Sequence, residues 1–347
     1  MDVELHVENV SPIAKNESSA AVLQLISNMW AVQAAATFAR LSGPDHLAAG
    51  PKSAHALAAD MGVDADALAR LLRGIARAGI VQRQGEAWAL TATGNLLRRD
   101  VPGSMRAFLI VQMAPAHWLP WGQMDHSIRT GGPATHLTLG MDYWSYCKSH
   151  PEEGRDFAAA MTSLSTMAIE AVLAADDFTG ARCVVDVGGS HGALLEAILA
   201  RVPHARGVLF DLPHVVEGAG PALRAANLVD RVELCAGSFF ESVPSGGDTY
   251  LLKHILHDWS DNECVTILGR IREVLPKDGR LVVVDMVLDE QGPPSPAALL
   301  DLNMLVMHTG RERTLSEFEV LFRRAGLRLF ARKTTASPFV LLDVRTA

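Results

Sequence analysis

Three ionisable side chains follow predicted strands and a helix in the C-terminal half of the chain. His257 lies just past a predicted strand in LLKHILHDWSDNEC, Asp285 ends the next strand, and Glu312 follows a later helix. Two carboxylates beside one histidine can fix its tautomer and raise its basicity. The sequence therefore predicts a general-base site. Each residue alone has an ordinary alternative, such as Asp258 or Ser260 capping the helix that follows.

A glycine-rich turn marks a second candidate site. A predicted buried strand ends at Asp186, then Gly188, Gly189 and Gly192 follow before a helix begins. Glycine carries no Cβ, so such a turn lets the backbone approach a nucleotide-like ligand closely. A tight turn without a ligand is the alternative interpretation.

Two acidic residues narrow the choice of ligand. Asp211 ends the second strand, where a carboxylate can accept hydrogen bonds from both hydroxyls of a ribose. NAD would also require an acid at this position. The alternative role of Asp211 is to cap the helix that begins near Pro213. Asp186 would oppose a pyrophosphate but suits the ammonium and sulfonium of S-adenosylmethionine. The spacing DxGxxxG also differs from the dinucleotide pattern GxGxxG. We therefore expect S-adenosylmethionine as the cofactor.

The elements that position these residues alternate between strands and helices. Seven strands are predicted: Cys183–Asp186, Gly207–Asp211, Val232–Ala236, Thr249–Lys253, Arg280–Asp285, Leu327–Lys333 and Phe339–Val344. Helices are predicted at Ala193–Arg201, His214–Ala226, Asn262–Leu275, Ala297–His308 and Leu315–Ala325. This alternation indicates an α/β fold with a Rossmann-like parallel sheet, whose ligands bind at the carboxyl ends of the strands.

The last two predicted strands are joined only by TTASP, which forces them to run antiparallel. A parallel sheet with a reversed last strand is typical of class I S-adenosylmethionine methyltransferases, whereas dinucleotide dehydrogenases keep all strands parallel.

The N-terminal part is predicted to be mainly helical. An apolar helix over about residues 19–42 would be buried in a core or against a second subunit, and the second is favoured. Helix, turn, helix and two short strands (Ile80–Arg83 and Ala87–Leu90) then predict a winged helix. Asp64 and Asp66 at the start of its second helix would repel phosphate, so a structural or dimerising role is favoured over DNA binding.

Composition sets the remaining bounds. The 347 residues, 49% hydrophobic and 20% charged, suit two globular domains, and the net charge of −8 argues against a nucleic-acid partner. Four scattered cysteines without a CxxC pair favour a reduced, cytoplasmic protein. The first 18 residues lack a signal-peptide pattern, and no apolar stretch is long enough to span a membrane. No carboxylate cluster suited to magnesium is apparent, so no metal is expected.

Six segments, taken in order, resemble one enzyme family. They are DVGGSHG, FDLPHV, GSFF, LKHILHDWSDNEC, VVVDMVL and GRERTLSEFE. They are similar to the plant caffeate, acetylserotonin and bacterial antibiotic-pathway O-methyltransferases, over nearly the whole chain. The resemblance implies an intertwined homodimer through a winged-helix domain at 1–102. It also implies a catalytic domain at 103–347, of which 103–180 is a helical segment beside the substrate pocket.

The resemblance also implies roles for individual residues. His257 would be the general base, flanked by Asp285 and Glu312, in transfer of a methyl group to a hydroxyl of a phenolic or polyketide-like aromatic molecule. The expected cofactor-binding residues are Asp186, Gly188, Gly189, Asp211, Leu212, Ser238, Phe239 and Lys253. The expected substrate-binding residues are Trp118, Met161, Met304 and His308.

Three departures from the family pattern stand out. Ser190 and His191 replace the usual glycine and small polar residue of the turn, and Ser238 stands where an aspartate usually contacts the adenine amino group. Asp285 replaces the glutamate usual in plant members, so it must approach His257 more closely or through water.

Two other functions stay open at this stage. The chain could be a member of the fold repurposed for hydroxylation or pericyclic chemistry, although such relatives tend to lose the histidine. It could also be a winged-helix regulator that senses the cofactor. The negative net charge of the chain and the complete set of His257, Asp285 and Glu312 argue against this function. The acceptor itself is not indicated by the sequence.

Overall fold

A computed structural model of the chain describes residues 12–289, 292 and 295–347. Contacts between Cα atoms divide the chain into two compact units, Met1–Met113 and Ala114–Ala347. The domain boundary predicted between residues 102 and 103 remains a prediction.

The first unit is mainly helical with a small antiparallel sheet. Its helices are α1 (Pro12–Arg40), α2 (Gly43–His46), α3 (Ala54–Met61), α4 (Ala65–Arg77), α5 (Ala92–Asn95) and α6 (Arg106–Gln112). Its strands are β1 (Lys52–Ser53), β2 (Val81–Gln84) and β3 (Ala87–Leu90), in the order β1-β3-β2. The sequence did not predict β1, because two residues are too few to show an alternating pattern.

Helix α4 shows why this part folds as predicted. The side chain of its N-cap, Asp64, accepts a hydrogen bond from the amide of Ala67. Leu68, Leu72 and Ile75 share one face of the helix and are buried in the core of the unit. Asp64 therefore has a structural role at the end of the helix where a DNA-binding protein would contact phosphate.

The second unit begins with five helices that precede its first strand. Those helices are α7 (Pro115–Trp121), α8 (Met124–Thr130), α9 (Thr135–Leu139), α10 (Tyr143–Ser149) and α11 (Pro151–Ala175). Then come β4 (Cys183–Val187), α12 (Ala193–Arg201), β5 (Arg206–Asp211), α13 (Pro213–Val216), α14 (Gly220–Ala225), β6 (Val232–Ala236), β7 (Thr249–Lys253), α15 (Asp261–Val274), β8 (Arg280–Leu288), α16 (Pro296–Met307), β9 (Arg313–Thr314), α17 (Leu315–Arg324), β10 (Leu327–Thr334) and β11 (Phe339–Thr346).

The large sheet has the strand order β6-β5-β4-β7-β8-β11-β10. Strands β4 to β8 are parallel, whereas β11 runs antiparallel to both of its neighbours, β8 and β10. The predicted seven-stranded sheet with a reversed last strand is thus confirmed, and the two-residue β9 adds a short pairing to the end of β8.

The helix predicted at His214–Ala226 is wrong as a single element. The structure has two short helices there, α13 and α14, and Pro221 stands in the first turn of the second. Proline lacks an amide proton to donate to the preceding turn, so a helix begins at it more readily than it continues through it.

The core of this unit covers both faces of the sheet. Val184 packs on one face in a cluster with Leu194 and Ile198 of α12, and Val185 packs on the other face with Ile267 of α15. Strands that are buried on both faces read as continuous apolar runs. This explains why β4, β7 and β8 were recognisable in the sequence.

A buried ion-pair network joins α11 to the sheet. Asp176, which follows α11, lies 2.7 Å from Arg280 of β8 and 2.9 Å from Lys333 of β10. Although burial opposes it, hydrogen bonds from these two cations lower the pKa of Asp176 to about 2.

No single helix among the described residues combines the length and apolar character of a membrane span. One bent pair, Pro151–Ser165 with Ala168–Ala175 at 47°, would meet both conditions only if its two halves were counted together.

Replacing Asp176 with asparagine should destabilise the second unit. Removing one partner of a buried ion pair costs about 3 kcal/mol of unfolding free energy. The folded-state pKa is lower than the unfolded value near 3.9, so this contribution is present at neutral pH and is lost as the pH falls toward about 2.

Denaturant unfolding at pH 7 and pH 3 measures this difference. Asp177→Asn is the matched control, because the neighbouring Asp177 is exposed and, among the described residues, its side chain bonds to Thr179 alone. Equal unfolding free energies for Asp176→Asn and Asp177→Asn at pH 7 would show that the network does not stabilise the fold.

Candidate active site

His257 lies on a short 3-10 turn, Leu256–Asp258, just after β7 in the middle of the sheet. Helix α15 begins directly after this turn. Its N-cap is Ser260, and a reciprocal capping box with Glu263 closes the helix end. The turn is therefore held between a central strand and a capped helix. Of the two caps that the sequence allowed, Ser260 is the one that forms.

The side chain of His257 is bound to Glu312. Its Nδ1 lies 2.7 Å from Glu312 Oε1, and both residues are buried. An ionised Glu312 accepts a hydrogen bond from Nδ1–H, which leaves the lone pair on Nε2 free to act as a base. Burial raises the pKa of Glu312 to about 8.

Asp285 is fully buried on β8 next to this pair. One nitrogen or oxygen atom from each of His257, Asp285 and Glu312 lies within 4.8 Å of the other two. Neither carboxylate oxygen of Asp285 has a hydrogen-bond partner among the described residues, and burial raises its pKa to about 7. The shorter side chain thus reaches the vicinity of His257 without a direct bond. These three groups are close enough to hold a metal ion; the absence of a metal from the reaction remains a prediction.

A further carboxylate, Asp258, lies on the other side of the imidazole. Its Oδ1 is 3.5 Å from His257 Nε2 and 3.9 Å from His308 Nε2. Burial raises the pKa of Asp258 to about 7. The sequence indicated only a possible cap for this residue, because its distance from a histidine 50 positions downstream depends on the fold.

The predicted substrate-binding residues lie in different places. His308 ends α16 and stacks on Trp144 with ring centroids 5.0 Å apart, close to Asp258. Met304 is buried one turn earlier on the same helix. Trp118 lies on α7 with 36% of its surface exposed, and Met161 lies on α11. The structure does not test the role of these two residues, which remains a prediction.

The glycine turn after β4 is closely packed. Gly188 has a φ of 72°, and a Cβ added there would overlap the side chain of Ile255 and come within 3.6 Å of Phe239. A Cβ at Gly189 would overlap Asp186 and Leu209. The positive φ of Gly188 favours glycine there, and a side chain at Gly189 would displace Asp186 and Leu209; the turn also brings Phe239 beside the end of β4.

Asp211 connects this turn to the end of β5. Its Oδ2 accepts a hydrogen bond from the amide of Ser190 at 2.8 Å, and its Oδ1 accepts one from Leu212 at 2.7 Å. Ser190 has a φ of 54°, a conformation more usual for glycine. The serine that departs from the family pattern is thus held by Asp211. Lone pairs remain on both oxygens for ribose hydroxyls.

A buried acid and a lysine lie beneath the turn. Asp186 is 2% exposed, and its burial raises its pKa to about 7, while the charge of Lys253 opposes the rise. Burial in turn lowers the pKa of Lys253. A cationic ligand above Asp186 would stabilise its ionised form, so these residues fit the ammonium and sulfonium of S-adenosylmethionine.

The last two predicted cofactor residues follow β6. The hydroxyl of Ser238 accepts a hydrogen bond from the amide of Phe240 at 3.3 Å, and Phe239 lies edge-on to Trp259 at 5.9 Å. Leu212 is 40% exposed beside Asp211. The predicted cofactor residues thus lie at the carboxyl ends of four neighbouring strands, β6, β5, β4 and β7.

Comparison with known proteins identifies both parts of the chain. Residues 121–328 match an O-methyltransferase domain, and residues 23–100 match an O-methyltransferase dimerisation domain. The chain is 36% identical over 350 residues to the mitomycin biosynthesis 6-O-methyltransferase of Streptomyces lavendulae, covering 100% of both proteins.

Solved structures are similar over the same length. The crystal structure of LaPhzM has a TM-score of 0.92 and 37% identity, covering 95% of this chain and 99% of that one. NcsB1, an O-methyltransferase from neocarzinostatin biosynthesis solved with S-adenosylmethionine and 2-hydroxy-5-methyl naphthoic acid, has a TM-score of 0.77 and 32% identity, covering 91% and 96%.

Replacing Asp211 with alanine should weaken binding of S-adenosylmethionine. Loss of hydrogen bonds to an ionised acceptor typically lowers affinity by about 10- to 100-fold. Isothermal titration calorimetry measures the change. Asp230→Ala is the control, because Asp230 is exposed and lies before β6 at the opposite end of the strands. An affinity equal to that of the unmodified protein would rule out the ribose contact.

Proposed function

This chain belongs to the O-methyltransferase family with an N-terminal dimerisation domain, and from that premise we propose that His257 is the general base of its reaction. The protein is an S-adenosylmethionine-dependent O-methyltransferase. The observation that supports the base assignment is the buried 2.7 Å bond between His257 Nδ1 and Glu312 Oε1. It leaves Nε2 as the nitrogen that can take a proton.

The residues at the four strand ends would hold the cofactor. S-adenosylmethionine supplies a methyl group on a sulfonium that is already activated toward displacement. Asp211 would accept from the ribose hydroxyls, Asp186 would face the cationic end, and Phe239 would pack beside the glycine turn. The protein must then present a deprotonated oxygen in line with the methyl group.

His257 would remove the proton from the acceptor hydroxyl. A phenol has an unperturbed pKa near 10 and is mostly protonated at neutral pH, so a base contributes directly. The proton would reside on Nε2. Glu312 and Asp258 would stabilise the resulting imidazolium, because they lie 2.7 Å and 3.5 Å from its two nitrogens.

The proposed acceptor is a hydroxylated aromatic small molecule of secondary metabolism. The neighbour NcsB1 was solved with a hydroxynaphthoic acid. In this chain, Trp144 stacks on His308 and lies 6.1 Å from Trp259 with nearly parallel rings, which would suit one face of a planar acceptor. A repurposed hydroxylase or pericyclic enzyme is not favoured, since the relatives are methyltransferases and the base is present.

The substitution His257→Ala should greatly slow methyl transfer. General bases contribute about 10²- to 10⁴-fold to rate, so kcat should fall by that factor while affinity for S-adenosylmethionine stays within a few-fold. Transfer is measured as S-adenosylhomocysteine formed with a panel of hydroxynaphthoates, hydroxyphenazines and simple phenols. The control is His204→Ala, an exposed histidine before β5.

The same assay tests the charge state of the pair. Burial holds the pKa of Glu312 at about 8, and its ionised form is the one that accepts from Nδ1–H. For the unmodified protein, kcat should therefore rise between pH 6 and pH 9 and fall away below the pKa. Near-full activity of His257→Ala, or a kcat independent of pH, would refute the assignment.

We also propose that the protein works as a homodimer that buries the apolar face of α1. Seven large apolar side chains of that helix are exposed in the single chain: Val22, Leu23, Leu25, Ile26, Met29, Trp30 and Val32. Large apolar side chains exposed together along one helix are typical of a protein–protein interface. A cytoplasmic location is proposed as well, because all four cysteines are free thiols.

The double substitution Leu25→Glu, Trp30→Glu should convert the dimer to a monomer. Two charges at positions that are 71% and 65% exposed leave the core of the single chain intact but cannot be buried between two chains without cost. Light scattering after gel filtration should give the 37.3 kDa mass of one chain instead of twice that value. Val229→Glu, at an exposed apolar residue of the second unit, is the control and should remain dimeric. A dimeric double variant would place the interface elsewhere.

A further inference from the structure

Arg313 is an arginine with no exposed surface, next in sequence to Glu312. Arginine is rarely buried completely unless its guanidinium donors are satisfied. The proposed reaction assigns it no role. It lies on β9, the two-residue strand that pairs with the end of β8.

The guanidinium of Arg313 is bonded to both sides of the turn that carries His257. Its Nη1 donates to the carbonyl of Leu256 at 2.7 Å, and its Nη2 donates to the carbonyl of Trp259 at 2.8 Å. Nε and Nη2 also donate to Asp261 Oδ1 at 3.1 Å and 2.9 Å. One side chain thus brackets His257 from the residue before it to the start of α15.

The backbone of the Glu312 loop is also packed against this turn. A Cβ added to Gly310 would overlap the carbonyl oxygen of His257 and the amide nitrogen of Trp259. Gly310 therefore allows two backbone segments to touch without a side chain between them. Glu312 lies between Gly310 and Arg313, so the loop is fastened on both sides of the residue that orients the base.

We propose that Arg313 is a positioning residue that fixes the distance between His257 and Glu312. This inference rests on the proposed function of His257 as the base. The two partners come from segments 55 residues apart in sequence, and a bond of 2.7 Å between them requires both backbones to be held. A displacement of about 1 Å at such a site can cost about 100-fold in rate.

The substitution Arg313→Gln tests this role. We expect kcat to fall about 10- to 100-fold with KM for the cofactor within a few-fold, because the base is misplaced and the cofactor residues are not. Arg313→Lys should recover only part of the lost kcat. A lysine ammonium keeps the positive charge, but it cannot bond both carbonyls at once as the planar guanidinium does. Arg311→Gln is the matched control, because Arg311 bonds the same Asp261 but is half exposed and touches neither carbonyl. It should stay within about 2-fold.

Two readouts separate positioning from simple loss of structure. The effect of Arg313→Gln on kcat should largely disappear in a Glu312→Gln background, because both substitutions act through the same bond. Nitrogen-15 spectra of histidine-labelled protein, recorded at one pH, should show changed Nδ1 and Nε2 chemical shifts of the His257 imidazole in Arg313→Gln and unchanged shifts in Arg311→Gln. If Arg313→Gln does not fold, Asp261→Asn replaces it in both measurements; this change removes the carboxylate that Arg313 and Arg311 share, and Arg311→Gln controls for the second ion pair.

The outcomes distinguish this inference from the proposed function. Activity of Arg313→Gln equal to that of Arg311→Gln, additive effects with Glu312→Gln, or unchanged nitrogen-15 shifts of His257 would each overturn the positioning role. Retained transfer by His257→Ala would overturn the base assignment instead, and the nitrogen-15 shifts of His257 would still report whether Arg313 holds the pair.

Discussion

The bond between His257 Nδ1 and Glu312 Oε1 is the interaction on which the site depends. Its two partners belong to separate segments, one following β7 and the other following α16, and both are buried. Without this bond, the proton of the neutral imidazole could lie on either Nδ1 or Nε2. The carboxylate fixes Nδ1 as the donor, so only Nε2 can receive a proton. The surrounding turn, capped helix and β9 loop all contribute to keeping these two atoms within 2.7 Å of each other.

Several carboxylic acids are buried in and around this site. Burial raises the pKa of Asp186, Asp258 and Asp285 to about 7 in each case. A cation brought near a buried carboxyl group of this kind lowers its pKa and favours the ionised form. A sulfonium cofactor and an imidazolium formed during the reaction are both cations, and each would stabilise the ionised form of its neighbouring acids. The site is therefore electrostatically suited to the charges that appear when it is occupied and working.

The sequence predicted the parts of this site that lie at strand ends. His257, Asp285, Asp186 and Asp211 each follow a run of apolar residues, and strands buried on both faces show such runs clearly. The winged helix was recognisable for a related reason, since Leu68, Leu72 and Ile75 repeat with the period of a helix. What the sequence did not indicate depends on distances between remote segments. Asp258 beside His308, and Arg313 across the His257 turn, have no local signal. The break between α13 and α14 did have one, at Pro221, which the prediction overlooked.

The residues proposed for the cofactor and the base follow strands of the sheet, whereas the aromatic residues near the base lie on helices. This difference explains why the acceptor is harder to identify than the reaction. The proposed cofactor residues and the base follow strands whose positions are set by backbone hydrogen bonds, so the sheet itself fixes their geometry. The aromatic residues near the base come from elsewhere: Trp144 is on α10, and His308 ends α16. Side chains on helices that pack against one another can change in size and polarity without disturbing the strand register. Selection among acceptors can therefore vary while the base pair and the cofactor turn stay the same. On this reasoning, Trp144 and His308 are the residues that should decide which hydroxyl reaches Nε2 of His257.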